Sequence, residues 1–147
     1  MPLLRQDIAT RKWSIIAPER SKRPEDFKSS TRRETLPAYV DTCPFCPGNE
    51  HLTPTEVYSI PDESGSDWSV RVVPNKFPAL VRPEIPSSCR RRRKYRLHLE
   101  MEGCGEHEVV IETPTHNQTI ATMEVEQVEK IVQTYRKRFL ELDKYDW

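Results

Sequence analysis

Two cysteines separated by two residues are the clearest chemical feature of the sequence. Cys43 and Cys46 form a C-x-x-C motif, and the Pro-Gly-Asn that follows favours a turn. Two thiolates on a tight turn can both point at one tetrahedral ion, whereas a redox pair of the thioredoxin type should follow a strand and open a helix. The pattern therefore predicts a zinc knuckle.

The remaining metal ligands must come from elsewhere in the chain, because a C-x-x-C motif supplies only half of a four-ligand site. The candidates are the histidines and the other two cysteines: His51, His98, His107, His116, Cys89 and Cys104. Cys89 and Cys104 stand alone, without a partner motif. No signal peptide is apparent at residues 1–10, so the sequence predicts a cytoplasmic protein whose cysteines are reduced rather than joined in disulfides.

The overall composition narrows the class of protein. The 147 residues suggest one domain, with 23 Lys+Arg, 23 Asp+Glu and a mean hydropathy of −0.76. No apolar run approaches the ~20 residues of a membrane span, and balanced charge is atypical of a dedicated nucleic-acid-binding domain. The hydrophobic fraction of 35% is low for this length, which indicates either a small core or a fold held together with the help of a metal, a partner or further chain.

The balanced total charge hides a basic block. Residues 81–98 contain 7 basic and 1 acidic side chains, and most of the basic ones lie in the run Arg90–Arg93, Lys94 and Arg96. Residues 99–147 contain 5 basic and 11 acidic side chains. The favoured interpretation of the run is a solvated loop between strands, and the alternative is a contact with phosphate or RNA.

Four segments are predicted to be strands, because apolar and β-branched residues alternate or cluster between turn residues. They are residues 12–16, 56–60, 68–73 and 108–112. The last segment instead has helical periodicity, with Thr122 as its predicted N-cap. Its apolar stripe is predicted to be core: Val125, Val128, Ile131, Val132, Tyr135, Phe139 and Leu142. The order of elements predicts an α+β fold, an antiparallel sheet packed by a C-terminal helix.

Five segments carry a more specific pattern when they are taken together. They are RQD at 5–7, WSIIAPERSKRP at 13–24, CPFCPGNE at 43–50, VVPNKFPAL at 72–80 and GEHEVVIETPTH at 105–116. In this order they resemble the N-terminal portion of the galactose-1-phosphate uridylyltransferase family, within the histidine-triad superfamily. The resemblance covers nearly the whole chain and implies a histidine-triad-like domain over residues 1–147.

The resemblance also implies an activity. In this family a histidine attacks the α-phosphorus of UDP-glucose, glucose-1-phosphate leaves, and a hexose-1-phosphate then takes the uridylyl group. The covalent intermediate divides one difficult displacement into two easier ones. The family further implies a zinc cofactor, a cytoplasmic homodimer and a place in galactose metabolism.

The metal site can be carried over residue by residue. Cys43 and Cys46 match the zinc cysteines of the family, and His116 matches its third ligand. The family's fourth ligand lies in the His-x-His segment that also carries the nucleophile, and no His-x-His occurs in this sequence. Water or a substitute such as His51 is therefore expected to complete the zinc shell.

Two further segments match residues that bind the substrate. Asn75, Lys76 and Phe77 match the segment that holds the uridine, where an aromatic ring can cover the base. Arg20 and Arg23 match arginines that contact the nucleotide phosphates, for which the guanidinium fork is suited. The alternatives are a proline-bounded turn with Phe77 in the core, and two solvated charges.

The missing nucleophile leads to a further expectation. The chain is predicted to be a truncated domain that ends before the His-x-His motif and does not turn over UDP-glucose alone. A related interpretation is an ADP-sugar phosphorylase or another adenylyl-transferring relative, because these enzymes share the scaffold. The alternatives outside this class are a zinc-binding structural module and a module that binds RNA through the basic run.

Overall fold

The structure, a computed structural model, describes residues 1–22, 36–84, 89 and 91–146. In this part of the chain there are seven strands and one long helix. They are β1 (Leu3–Gln6), β2 (Trp13–Ile16), β3 (Tyr58–Pro61), β4 (Trp68–Pro74), β5 (Arg93–Tyr95), β6 (His98–Glu102), β7 (Glu108–Ile111) and α1 (Val125–Leu142). Three short 3-10 turns span Pro18–Lys22, Glu50–Leu52 and Ile120–Thr122.

The chain divides into two compact units. The first unit comprises the described parts of residues 1–26 and 77–107, together with residues 144–146. The second unit comprises the described parts of residues 27–76, together with residues 108–143. Each unit contains one antiparallel sheet.

The sheet of the first unit has the strand order β2-β1-β6-β5. A tight turn joins β1 to β2, because the Asp7 carboxylate accepts hydrogen bonds from the backbone N–H groups of Ala9 (2.9 Å) and Thr10 (2.6 Å). Across β1 and β6, the Arg5 guanidinium pairs with Glu100 at 2.7 Å. Strands β1, β5 and β6 are not among the predicted ones, because such short, charged strands carry little local signal.

The basic run is only in part the loop that the sequence predicts. Arg93–Tyr95 forms β5, the edge strand, and pairs with β6 in a hairpin. The side chains of residues 91–97 are all exposed, while Arg90 lies outside the described residues. One of these cations, Arg93, lies 3.6 Å from the Glu102 carboxylate.

Cys89 and Cys104 form a disulfide, with their Cα atoms 5.7 Å apart. The prediction that all cysteines are free thiols is therefore wrong for this pair. Cys104 also forms a parallel backbone bridge with Val81, and both residues belong to the first unit. The path of the chain, rather than a sequence motif, brings the two sulfur atoms together.

The sheet of the second unit has the strand order β3-β4-β7. The central strand β4 is buried along nearly its whole length, and Val70, Val72 and Val73 are at most 2% exposed. Helix α1 contacts β4. The Gln127 amide connects the helix to the sheet by donating hydrogen bonds to the carbonyls of Ser69 and Glu112, at 2.8 and 2.7 Å.

The apolar stripe of α1 is buried only in part. Ile131 is 1% exposed, whereas Val125, Val132 and Phe139 are 77%, 58% and 68% exposed. The reason is geometric: those three residues recur every seven positions, so they lie on a row beside the one that faces the sheet. The polar Thr134 is buried in their stead, and its hydroxyl donates to the Lys130 carbonyl at 2.8 Å.

The predicted N-cap of the helix is also wrong. Glu124 occupies the N-cap position of α1, without a capping bond from its side chain, while Thr122 closes the preceding 3-10 turn by bonding reciprocally with Thr119. The predicted fold class is confirmed, with the refinement that the antiparallel strands divide between two sheets. Among the described helices, none combines the length and the apolar character that crossing a membrane requires.

Candidate metal centre and nucleotide-binding segment

The second unit brings together three potential metal ligands. The sulfur atoms of Cys43 and Cys46 and a ring nitrogen of His116 all lie within 4.8 Å of one another. Cys46 is buried and the other two residues are half-buried. The Cys46 Sγ and His116 Nδ1 atoms are 3.5 Å apart. The residues singled out as ligands in the sequence therefore converge on one point.

A compact turn positions the two cysteines. The Cys46 N–H donates to the Cys43 carbonyl and the Asn49 N–H donates to the Cys46 carbonyl, each at 3.2 Å. Gly48 has φ +86, a left-handed conformation that glycine adopts without steric cost. The buried Asn49 amide then donates to the carbonyls of Asp41 and Cys43, both at 2.8 Å. These bonds hold the turn without using the thiols.

His116 reaches the cysteines from a different part of the sequence. It follows β7 through a Thr-Pro-Thr segment, and its backbone N–H donates to the Ala38 carbonyl at 2.8 Å. Ala38 lies shortly before the knuckle, so this bond ties the two ligand-bearing segments together. A ligand 70 residues beyond Cys46 is thereby placed beside it.

The chemistry of this donor set fits zinc. Thiolate and imidazole are the ligands that zinc prefers. The 3.5 Å between Cys46 Sγ and His116 Nδ1 is close to the separation expected for two ligands at a tetrahedral angle, with bond lengths of about 2.3 and 2.0 Å. Burial raises the pKa of the Cys46 thiol. Among the residues that the structure describes, no fourth histidine, cysteine or carboxylate joins the cluster, and His51 lies outside it.

A carboxylate supports the knuckle from beside it. One oxygen of Glu50 accepts hydrogen bonds from the Trp68 indole N–H at 2.9 Å and from the Gly48 N–H at 3.2 Å. Partial burial raises the pKa of Glu50, but these hydrogen bonds outweigh it and hold the pKa below its ordinary value. Sequence reasoning missed Asn49 and Glu50 as supporting residues, although both lie within the CPFCPGNE segment.

The predicted nucleotide-binding segment lies where the two units meet in sequence. Asn75 and Lys76 belong to the second unit, the former half-buried and the latter exposed, while the half-buried Phe77 belongs to the first. Arg20 donates a hydrogen bond to the Phe77 carbonyl at 2.7 Å. Arg23 lies outside the described residues.

One residue near this segment was not predicted to take part. The sequence offers His107 only as one of several candidate metal ligands. In the structure its Nδ1 atom instead accepts a hydrogen bond from the Ala79 backbone N–H at 2.9 Å. The signal in the sequence was its place in the GEHEVVIETPTH segment, which carries the resemblance. Nothing local to His107 indicates a partner 28 residues away.

Comparison with known proteins agrees with the family suggested by the sequence. Residues 2–147 match the family described as galactose-1-phosphate uridyl transferase, N-terminal domain. Because the match covers almost the whole chain, the protein belongs to this family of the nucleotidyltransferase class.

Individual relatives differ in their activity. An ADP-glucose phosphorylase from Arabidopsis thaliana is 35% identical, with 99% of this chain and 40% of that protein aligned. A galactose-1-phosphate uridylyltransferase from Thermotoga maritima is 26% identical, with 98% and 37% aligned. A crystal structure of the Arabidopsis thaliana ADP-glucose phosphorylase with bound ADP-glucose matches with a TM-score of 0.57 at 32% identity, over 99% of this chain and 39% of that one. The chain thus spans about two fifths of the length of these relatives.

Proposed function

We propose that this chain is the zinc-binding N-terminal portion of an enzyme that transfers a nucleoside monophosphate from a nucleoside diphosphate sugar to a sugar phosphate or to inorganic phosphate. The observation that carries the proposal is the convergence of Cys43, Cys46 and His116 in a chain of this family. A bound zinc ion would join two segments distant in sequence and so stabilise the second unit.

The substrate-binding residues are part of the proposal. Asn75, Lys76 and Phe77 would hold the nucleotide base, since an aromatic ring can stack on it and an amide can both donate and accept hydrogen bonds. Arg20 and Arg23 would contact the phosphates. The bond from Arg20 to the Phe77 carbonyl uses one of five guanidinium N–H groups, and so is compatible with a further contact to phosphate.

The nucleophile is not assigned to any histidine of this sequence. His116 belongs to the metal cluster, His107 accepts the Ala79 N–H, and His98 contacts Glu100 at 3.0 Å. His51 is exposed, and the sequence contains no His-x-His. We therefore expect this chain to bind the nucleotide sugar without forming a nucleotidyl-histidine intermediate. The cytoplasmic homodimer implied by the resemblance belongs to the same proposal.

Two substrate pairs are compatible with the family. The first is UDP-glucose with a hexose-1-phosphate, as in the uridylyltransferases of galactose metabolism. The second is ADP-glucose with phosphate, favoured by the 35% identity to an ADP-glucose phosphorylase over nearly the whole chain. Both pairs need the same displacement at the α-phosphorus, and they differ in the base and in the acceptor. The base is the part that residues 75–77 would contact.

Calorimetric titration of the zinc-loaded chain with ADP-glucose and with UDP-glucose tests the proposal. We expect saturable binding of a nucleotide sugar, with a preference that identifies the base. Glucose-1-phosphate, which lacks the nucleoside, is the control ligand and should bind more weakly than either. Lack of binding to both nucleotide sugars, in a chain shown to contain zinc and to be folded, would contradict the proposed function.

A further inference from the structure

His107 is linked to the nucleotide-binding segment by its ring rather than by its backbone. The Ala79 N–H donates to Nδ1 at 2.9 Å, although the two residues are 28 positions apart. An imidazole nitrogen accepts a hydrogen bond only where it carries no proton, so His107 is neutral in this arrangement, with its proton on Nε2. A half-buried histidine is thus used as a hydrogen-bond acceptor for one particular backbone group.

The chain around His107 holds the ring at this position. Gly103 accepts the Val81 N–H at 3.1 Å, and the Gly105 N–H donates to the Val81 carbonyl at 3.0 Å. Gly105 has φ +149, and a Cβ atom there would lie 3.0 Å from Leu80 Cδ1. Residues 103–105 are therefore held against residues 80–81, and this contact ends only two positions before His107.

The other end of the segment is held by a different side chain. Arg20 donates to the Phe77 carbonyl at 2.7 Å, two residues before the Ala79 N–H that His107 accepts. The proline between them, Pro78, has a restricted φ and no N–H of its own. The backbone after the Phe77 Cα atom is therefore held at two points, the Phe77 carbonyl and the Ala79 N–H, one on each side of Pro78.

We propose that His107 is a positioning residue for nucleotide binding, which acts by holding the backbone of residues 77–79 through its Nδ1 atom. This inference rests on the proposed function, since Phe77 is the residue expected to stack on the base. A ring that is already oriented loses less conformational freedom when the ligand binds, which raises affinity without any contact between His107 and the ligand.

A pair of substitutions at this position separates positioning from general stability. His107→Asn keeps an acceptor oxygen close to the place of Nδ1, whereas His107→Leu keeps the approximate size and removes the acceptor. Without this bond, the ligand must itself order residues 77–79, at a cost of up to the net worth of one hydrogen bond, which corresponds to an affinity up to about 3- to 10-fold weaker. We therefore expect His107→Leu to weaken nucleotide-sugar binding by about that factor and His107→Asn to restore most of it.

Two measurements are made on each variant. Calorimetry gives the Kd for whichever of ADP-glucose and UDP-glucose the unaltered chain prefers, and NMR hydrogen exchange follows the Ala79 amide without ligand. The Ala79 amide should be protected in the unaltered chain and in His107→Asn, and unprotected in His107→Leu. His98→Asn, which alters a histidine that contacts Glu100, is the matched control and should change neither measurement.

The outcomes divide clearly. Equal affinity of His107→Leu and the unaltered chain overturns the inference and leaves the proposed function standing. Equal weakening in the Asn and Leu variants also overturns it, because an acceptor would then not matter. If the unaltered chain binds neither nucleotide sugar, the proposed function and the ligand part of this inference both fail. In that event Ala79 exchange still shows whether His107 holds the segment.

Discussion

The two units each contain a pair of cysteines, and the pairs differ in their spacing, in their oxidation state and in the side chains beside them. Cys43 and Cys46 are three positions apart, remain thiols and lie beside a histidine. Cys89 and Cys104 are 15 positions apart and are joined as a disulfide. The first pair forms part of a candidate metal site, and the second closes a loop that contains the β5–β6 hairpin.

The difference shows that the spacing of cysteines in the sequence predicts their proximity only when both lie in one turn. In the C-x-x-C motif both sulfur atoms belong to one turn, so their proximity follows from local backbone geometry. In the other pair, proximity depends on the bridge between Val81 and Cys104 and on the path of the chain between them. The same residue type thus contributes to a candidate metal site in one unit and to a cross-link in the other.

The largest expected effect concerns the metal. Cys46→Ser should reduce the zinc content from about one per chain to near zero, because structural zinc sites depend strongly on each thiolate. His116→Ala should do the same. Mass spectrometry under native conditions, or elemental analysis of the purified chain, gives the stoichiometry.

The other cysteine pair supplies the control for this prediction. The double variant Cys89→Ser/Cys104→Ser should retain about one zinc per chain, since its cysteines belong to the other unit. Zinc that stays bound in both Cys46→Ser and His116→Ala would disprove the ligand assignment.

The disulfide should contribute the next largest effect. Closing a loop of this length stabilises a protein by about 3 kcal/mol in the chain-entropy description, so a phosphine reductant should lower the free energy of unfolding by about 2–4 kcal/mol. Urea unfolding in the presence and absence of the reductant measures the change.

Alkylation provides an independent check on the disulfide. In the denatured, unreduced chain, a thiol reagent should label Cys43 and Cys46 and leave Cys89 and Cys104 unlabelled. The Cys89→Ser/Cys104→Ser variant should be insensitive to the reductant. Labelling of all four cysteines before reduction would show that the disulfide is not formed.

An effect of similar size is expected at Gly105. Alanine there would both take up a left-handed φ and place a Cβ 3.0 Å from Leu80, so Gly105→Ala should destabilise the chain by about 2–4 kcal/mol. Gly65→Ala, with φ +71 and open space around the new methyl, isolates the backbone part and should cost about 1 kcal/mol. Equal unfolding free energies for the two variants would mean that the packing against Leu80 does not matter.

The smallest effect is a local titration in the second unit. The hydrogen bond from the Tyr135 hydroxyl to the Glu112 carboxylate, together with partial burial, raises the pKa of Tyr135 to about 12. Because the pKa is raised on folding, the stability that this contact contributes is present below pH 10 and is lost as the pH rises from 10 towards 12. Tyrosinate absorbance, compared with that of Tyr135→Phe, follows the titration.

A second variant assigns the cause of that shift. Glu112→Gln removes the charge and should return the pKa of Tyr135 towards its ordinary value of about 10. An unchanged titration in Glu112→Gln would show that the carboxylate is not responsible.

The parts of the fold that the sequence predicted well are those with strong local patterns. Strand β4 alternates and lies between turn residues, and the helical period places α1 within a few residues of its observed ends. The burial of α1 was less predictable. Val132 and Ile131 are both apolar neighbours in sequence, yet only Ile131 faces the sheet, because the orientation of a helix about its axis depends on what it packs against.

The candidate site likewise has a part that local sequence patterns predict and a part that they do not. The turn that carries Cys43 and Cys46 could be recognised from the residues between Cys43 and Asn49, since its hydrogen bonds join residues no more than eight positions apart. That His116 stands beside Cys46, 70 positions earlier, came from the resemblance and not from any local pattern. The roles of Arg20, Arg23, Asn75, Lys76 and Phe77 towards a ligand remain predictions.

What residue order alone specified in this protein is short-range: a turn with two thiols, a helical period and alternating strands. These features depend on backbone preferences and side-chain periods that act over a few residues. The pairing of Cys89 with Cys104, the hydrogen bond from Ala79 to His107 and the edge position of β5 arise from the folded path of the chain. Contacts between remote residues depend on many weak interactions acting together, and no short segment contains enough of them to specify the partner.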